Sequence, residues 1–68
     1  MYYLLERNTT TGEFVTNFTM YGTTPEDILD RVFRDKLYIR DLTNESPCAM
    51  LFVHLTTGKE IGIIFSTV

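Results

Sequence analysis

Residues that staple small proteins or carry out chemistry are scarce in this chain. Its 68 residues include one cysteine, Cys48, one histidine, His54, and no tryptophan. A single cysteine excludes an intrachain disulfide, and Cys48 with His54 cannot supply the four ligands of a structural zinc site. We therefore predict no metal site and no cofactor. A domain this small buries only about 60% of the surface of its unfolded chain, so oligomerisation is the support that remains.

Basic residues and long apolar runs are also in short supply. Six lysine and arginine residues face nine acidic ones, for a net charge of −3, and the six are scattered along the sequence. A nucleic-acid binder carries a basic patch instead, so we exclude DNA and RNA as partners. The apolar N-terminal stretch meets Glu6 at once, and no stretch is long enough to cross a membrane. We expect a cytoplasmic protein without membrane contact.

The groups that catalysis needs are few and badly spaced. Cys48 and His54 lie on one predicted strand, about 20 Å apart, so they cannot form a catalytic pair within one chain. Glu26, Asp27 and Asp30 lie in the first turns of the predicted helix, where negative charge complements the helix dipole. The four glycines are isolated and open no phosphate-binding loop. We predict that the protein is not an enzyme.

One segment carries the pattern of an amphipathic helix. Thr23 or Thr24 can cap it, Pro25 suits its first turn, and Thr23 with Glu26 has the spacing of a capping box. Apolar residues then recur at helical spacing, at Ile28, Leu29, Val32 and Phe33. We predict a helix of about three turns that ends near Lys36.

The rest of the chain has the pattern of β-hairpins. Two similar turns, Thr10-Thr11-Gly12 and Thr56-Thr57-Gly58, each separate two β-rich runs and fit a three-residue loop with a left-handed glycine. Residues 37–42 have the alternation of a short additional strand. We predict one α+β domain over residues 1–68, an antiparallel four- to five-stranded sheet in ββα(β)ββ order with one helix packed on one face.

Three-residue loops fix which residues share a face of this sheet, and a slip of one residue would exchange the faces. In the second hairpin they place Phe52 opposite Gly62 and His54 opposite Glu60, and in the first they pair Tyr2 with Met20 and Leu4 with Phe18. The predicted core contains Tyr2, Leu4, Phe18, Met20, Leu51, Val53, Leu55, Ile61, Ile63 and Phe65. The opposite face is apolar as well and contains Met50, Phe52 and Ile64, extended by Tyr3, Leu5 and Tyr21, and the pattern does not fix which of the two faces the helix covers.

A second apolar face on a marginally stable domain indicates association. We expect a non-enzymatic interaction module that is a homo-oligomer, with a dimer favoured, and that also binds a heterologous protein. The six residues of the second face are its predicted interface. So compact a chain is typical of the small inhibitors with which phages and mobile elements bind and block a host protein, and we expect a function of that type.

The alternative hypothesis is a protein that binds or sequesters a nucleotide or metabolite in a pocket at a subunit interface. Tyrosine rings suit such sites because they combine an apolar face with a polar tip. The predicted ligand-binding residues are Tyr2, Tyr38 and Arg40, with Tyr3 and Tyr21 beside them. A thermal-shift screen against nucleotides and metabolites separates the two hypotheses, because a bound ligand raises the melting temperature.

Overall fold

The computed structural model describes residues 1–47 and 49–67, and within them the chain forms five β-strands and one α-helix. The elements, in chain order, are β1 (Tyr2–Arg7), β2 (Phe14–Gly22), α1 (Pro25–Val32), β3 (Tyr38–Arg40), β4 (Ala49–His54) and β5 (Glu60–Phe65). All strand pairs are antiparallel, and the order across the sheet is β2-β1-β5-β4-β3. The predicted α+β class and element order are confirmed, including the short third strand.

The core lies between α1 and one face of the sheet. Ile28 and Leu29 of the helix pack with side chains of the three central strands, and the most deeply buried of these are Leu4, Ile61 and Ile63. The core residues pair across strands in register, with Leu4 opposite Ile63. Because β5 is the central strand, Ile61 and Ile63 lie directly beneath the helix.

Both hairpin loops are one residue longer than predicted. In the second, the backbone N–H of His54 donates to the carbonyl of Lys59, which leaves a four-residue loop at 55–58. The first is built in the same way, with Asn8 donating to Glu13 around residues 9–12. Each loop ends on a glycine with positive φ, 77° at Gly12 and 74° at Gly58, as predicted for the left-handed position.

The longer second loop moves β4 by one residue against β5, so the predicted faces of β4 are wrong. Phe52 lies opposite Ile61 rather than Gly62, and Met50 lies opposite Ile63. Phe52 is only 7% exposed and belongs to the core, and Met50 packs against it. Of the side chains predicted as core in this segment, Leu51 and Val53 lie on the other face, and Leu55 lies in the loop and is 60% exposed. His54 pairs with Lys59 rather than with Glu60.

The first hairpin also departs from the predicted register, because β2 is bulged. Leu4 pairs with Asn17 and Tyr3 pairs with Tyr21, so three residues of β2 stand between two regular stretches. Asn17 Oδ1 accepts the backbone N–H of Thr19, at 3.0 Å, inside this bulge. The predicted pairs of Tyr2 with Met20 and of Leu4 with Phe18 are therefore wrong. Phe18 is 65% exposed instead of joining the core.

The helix begins as predicted at Pro25 but is shorter. Thr24 is the N-cap, and Asp27 completes the capping box instead of the predicted pair of Thr23 and Glu26. The helix ends at Val32 because Phe33 leaves the helical conformation and stacks on Tyr38, with ring centroids 5.6 Å apart. Packing against the sheet therefore overrides the helical pattern that continues towards Lys36.

Candidate functional site

The face of the sheet opposite α1 is apolar and is not covered by any described element. We call it the outer face. Direct pairing puts its members on one side: Leu5 and Leu51 flank Gly62, Tyr3 pairs with Ile64, and Val53 pairs with Ile39. Its apolar and aromatic residues are Tyr3, Leu5, Phe18, Tyr21, Ile39, Leu51, Val53 and Ile64.

The centre of the outer face is flat because Gly62 lies on the middle strand. A Cβ added there would lie 3.0 Å from the Cβ of Leu5 and 3.3 Å from Leu51 Cδ2. The two leucines therefore close over the glycine backbone from both neighbouring strands. This packing explains how Leu5 is only 9% exposed without a covering element.

The two ends of the outer face differ chemically. At one end the Tyr3 ring contacts Phe18 and Tyr21, with centroids 5.2 Å and 6.3 Å away. At the end next to the hairpin loops, Arg7 lies 4.4 Å from the centroid of the Phe14 ring and 3.5 Å from a carboxylate oxygen of Glu60. The face is thus aromatic at one end, aliphatic in the middle and charge-balanced at the other.

Four of the six predicted interface residues lie on the outer face: Tyr3, Leu5, Tyr21 and Ile64. Met50 and Phe52 lie under the helix instead. Sequence reasoning missed Leu51 and Val53 because it assumed the shorter second loop, and it missed Phe18 because it assumed no bulge. Ile39 was missed because no face was predicted for its short strand. The side chain before the first loop held a usable signal: Asn8 Oδ1 accepts the N–H groups of Thr10 and Thr11, which marks residue 8 as the start of a four-residue loop.

Comparison of the chain with protein-family models, with curated proteins and with solved structures finds no match. In the described part of the chain, no helix is long and apolar enough to cross a bilayer.

His54 is a buried side chain that is held through both of its ring nitrogens. Its Nε2 lies 2.9 Å from each carboxylate oxygen of Asp35, and its Nδ1 accepts the N–H groups of Thr56 and Thr57 at 3.2 and 3.1 Å. Because an acceptor nitrogen carries no proton, this arrangement assigns the proton to Nε2. Both ring nitrogens are occupied, so the side chain fixes the 55–58 loop and has no nitrogen left for a substrate.

Asp35 completes this small network. The backbone N–H of Leu37, at 3.1 Å, and then the imidazole of His54 hold the pKa of its carboxyl below the usual value. The predicted partner of the histidine, Glu60, pairs with Arg7 instead. Cys48, the other candidate for chemistry, lies outside the described residues.

The residues of the alternative ligand site are only partly brought together. Tyr2 and Arg40 line a small depression of about 210 Å³ with Met50 and Phe65. Arg40 is committed to Glu45, whose carboxylate accepts two of its N–H groups and raises its pKa. Tyr38 stacks on Phe33 elsewhere on the helix side, whereas Tyr3 and Tyr21 lie on the outer face. Among the described residues, no group of acidic and histidine side chains could hold a metal ion.

Proposed function

We propose that the protein is a non-enzymatic interaction module whose outer face binds a second copy of the same chain. The observation that carries this proposal is a five-stranded sheet with its helix on one side and a continuous apolar surface on the other. A lone domain of this size has a small core, and pairing two such faces covers the side of each sheet that the helix leaves open.

The size of the outer face supports a dimer. Five strands spaced about 4.8 Å apart and about 20 Å long give a footprint of roughly 500 Å² in projection. The accessible area is larger because side chains protrude, which brings it near the roughly 800 Å² that each partner buries in a stable interface. Two twisted sheets packed face to face are a common architecture for such a pair.

Its chemistry supports a copy of itself as the partner. A two-fold interface brings the same patch of both chains together, so the patch must be self-complementary. The eight residues that define the outer face are uncharged, and Arg7 and Glu60 at its end are already paired. Two copies therefore meet without burying an unpaired charge.

The edges of the sheet are less suited to association than its face. Edge strand β2 is interrupted by its bulge, and edge strand β3 has three residues. Bulges and short edge strands are the devices by which proteins prevent strand addition. These features favour a face-to-face dimer over an extended sheet.

Light scattering coupled to size exclusion tests the proposal with three lysine substitutions. Val53→Lys places a charge in the outer face next to Glu60, with which it can pair in the monomer, so we expect a folded monomer. Leu42→Lys adds the same charge at a loop residue that is 69% exposed, and should leave the dimer intact. Phe52→Lys buries a charge in the core and should unfold the chain. A native protein that elutes as a monomer at micromolar concentration would refute the proposal.

A further inference from the structure

The basic residues are scattered in the sequence, but the fold sorts them into two groups. Arg7 and Arg40 are each paired with a glutamate, on opposite parts of the sheet. Three of the other four, Arg31, Arg34 and Lys59, line one open depression beside the C-terminal end of α1. An acidic protein therefore presents one locally basic surface.

Within the described residues, two of these three cations have no competing partner. The side chains of Arg34 and Lys59 make no hydrogen bond or ion pair there, whereas Arg31 donates to the carbonyl of Tyr21 at 2.7 Å. The one carboxylate in the depression, Asp35, is engaged by His54 and by the N–H of Leu37. Two exposed cations thus stand beside a carboxylate whose charge is already partly satisfied.

The depression lies on the helix side of the sheet. Lys59 pairs with His54, which faces the core, and Val32 and Phe33 of the helix end line the same depression. A dimer formed through the outer face would leave one such depression exposed on each copy. The two surfaces can therefore act independently.

We propose that this basic depression binds an acidic segment of a partner protein. It is open and offers exposed side chains rather than buried donors, so a free phosphate or other small anion would gain little over its hydration. A long nucleic acid fits poorly, because the two rings in the lining, Phe33 and His54, are only 3% and 7% exposed and cannot stack on a base. A short run of carboxylates matches a few cations surrounded by an acidic surface.

Fluorescence anisotropy with a labelled peptide of about eight glutamates tests this surface at low salt, where exposed charges interact most strongly. We expect binding that is absent for a matched glutamine peptide. Lys59→Gln and Arg34→Gln should each weaken binding about threefold, and the pair about tenfold. Lys36→Gln removes an exposed cation that does not line the depression, and should change the affinity less.

Three results would overturn the assignment. They are no binding of the glutamate peptide, equal losses for Lys36→Gln and Lys59→Gln, and equal affinity for a single-stranded oligonucleotide of the same charge. The measurement is repeated on Val53→Lys, whose folded state is checked by circular dichroism. If Val53→Lys still binds the peptide, the basic depression binds it independently of any dimer formed through the outer face.

Discussion

His54 shows how one side chain can be committed entirely to architecture. Its ring lies between Asp35 and the amide groups of the 55–58 loop, and packs 5.2 Å from the ring of Phe33. Its first contact, from Nε2 to the carboxylate of Asp35, resembles the contact that orients a catalytic base. Its second contact, between Nδ1 and the N–H groups of the loop, does not. The second contact uses the nitrogen that a base would need, which supports the proposed non-enzymatic role.

We predict that His54→Phe destabilises the domain by about 1–3 kcal/mol, because it keeps the ring but leaves two partly buried N–H groups without an acceptor. Asn8→Ala is the matched control, since Asn8 accepts the equivalent N–H groups in the exposed first loop, where water can replace it. Urea unfolding measures both. Equal losses would show that burial of the His54 ring is not what makes this cap important.

Long-range nitrogen–proton NMR spectra test the assigned tautomer of His54 directly. We expect the ring proton on Nε2, because Nδ1 accepts from the N–H groups of Thr56 and Thr57. A proton found on Nδ1 would contradict the loop geometry.

Single residues also mark where sequence reasoning reached its limit. The left-handed glycines at 12 and 58 could be predicted, because a tight turn with φ near +75° excludes most other residues. The glycine alone could not fix the length of the loop, since that length also depends on the capping side chain directly before the loop. Asn8 is a recognisable cap, but a histidine in that role, as at position 54, is not.

Among the elements, α1 depends on its N-terminal cap. Asp27 Oδ2 accepts the N–H of Thr23 at 3.1 Å and the N–H of Thr24 at 3.2 Å. In the other direction, the side chain of Thr24 accepts the backbone N–H of Asp27. The hydrogen bond from the Thr24 backbone contributes most to holding the pKa of Asp27 below its usual 3.8. The ionised carboxylate therefore stabilises the start of the helix.

The lowered pKa gives this contribution a defined pH dependence. Because the folded pKa lies below the unfolded value, the stabilisation is complete above about pH 4 and is lost as pH falls through the folded pKa. We predict that Asp27→Asn lowers the melting temperature at pH 6 and that this difference shrinks towards zero in more acidic solution. Thermal unfolding between those conditions measures it.

Glu26→Gln is the control for that experiment, because it removes a carboxylate from the same turn without touching the capping box. Asp35 also has a lowered pKa, but it is present in every variant and cancels in the comparison. A loss for Asp27→Asn that stays constant with pH would assign the effect to side-chain geometry rather than to charge.

The strands show why the order of the elements was easier to predict than the face of the sheet on which each side chain lies. Alternation places strands along the chain, whereas the face of a strand depends on a single residue in its loop. Ile61 and Ile63 were assigned to the core correctly, and both are fully buried there. Phe52 was misplaced because its strand is apolar on both faces, so that burial could not distinguish the two registers. The sequence gives no sign of the bulge in β2, because the hydrogen bond from the Thr19 N–H to Asn17 Oδ1 is apparent only in the structure.

The architecture of the complete domain links its stability to its concentration. If two copies share the outer face, unfolding releases two chains, and the folded state is favoured by mass action as protein is added. A monomer with the same core would show no such dependence. The outer face therefore predicts a thermodynamic property as well as a molecular mass.

We predict that the melting temperature of the native protein rises as its concentration is raised from about 1 to 100 μM, by a few degrees for a domain of this size. Val53→Lys, which interrupts the outer face, should melt at a temperature that does not change over this range. Leu42→Lys should follow the native protein, because its side chain lies in a loop. Differential scanning calorimetry makes the comparison, and a native melting temperature that is independent of concentration would mean that the second face of the sheet is exposed in an ordinary monomer.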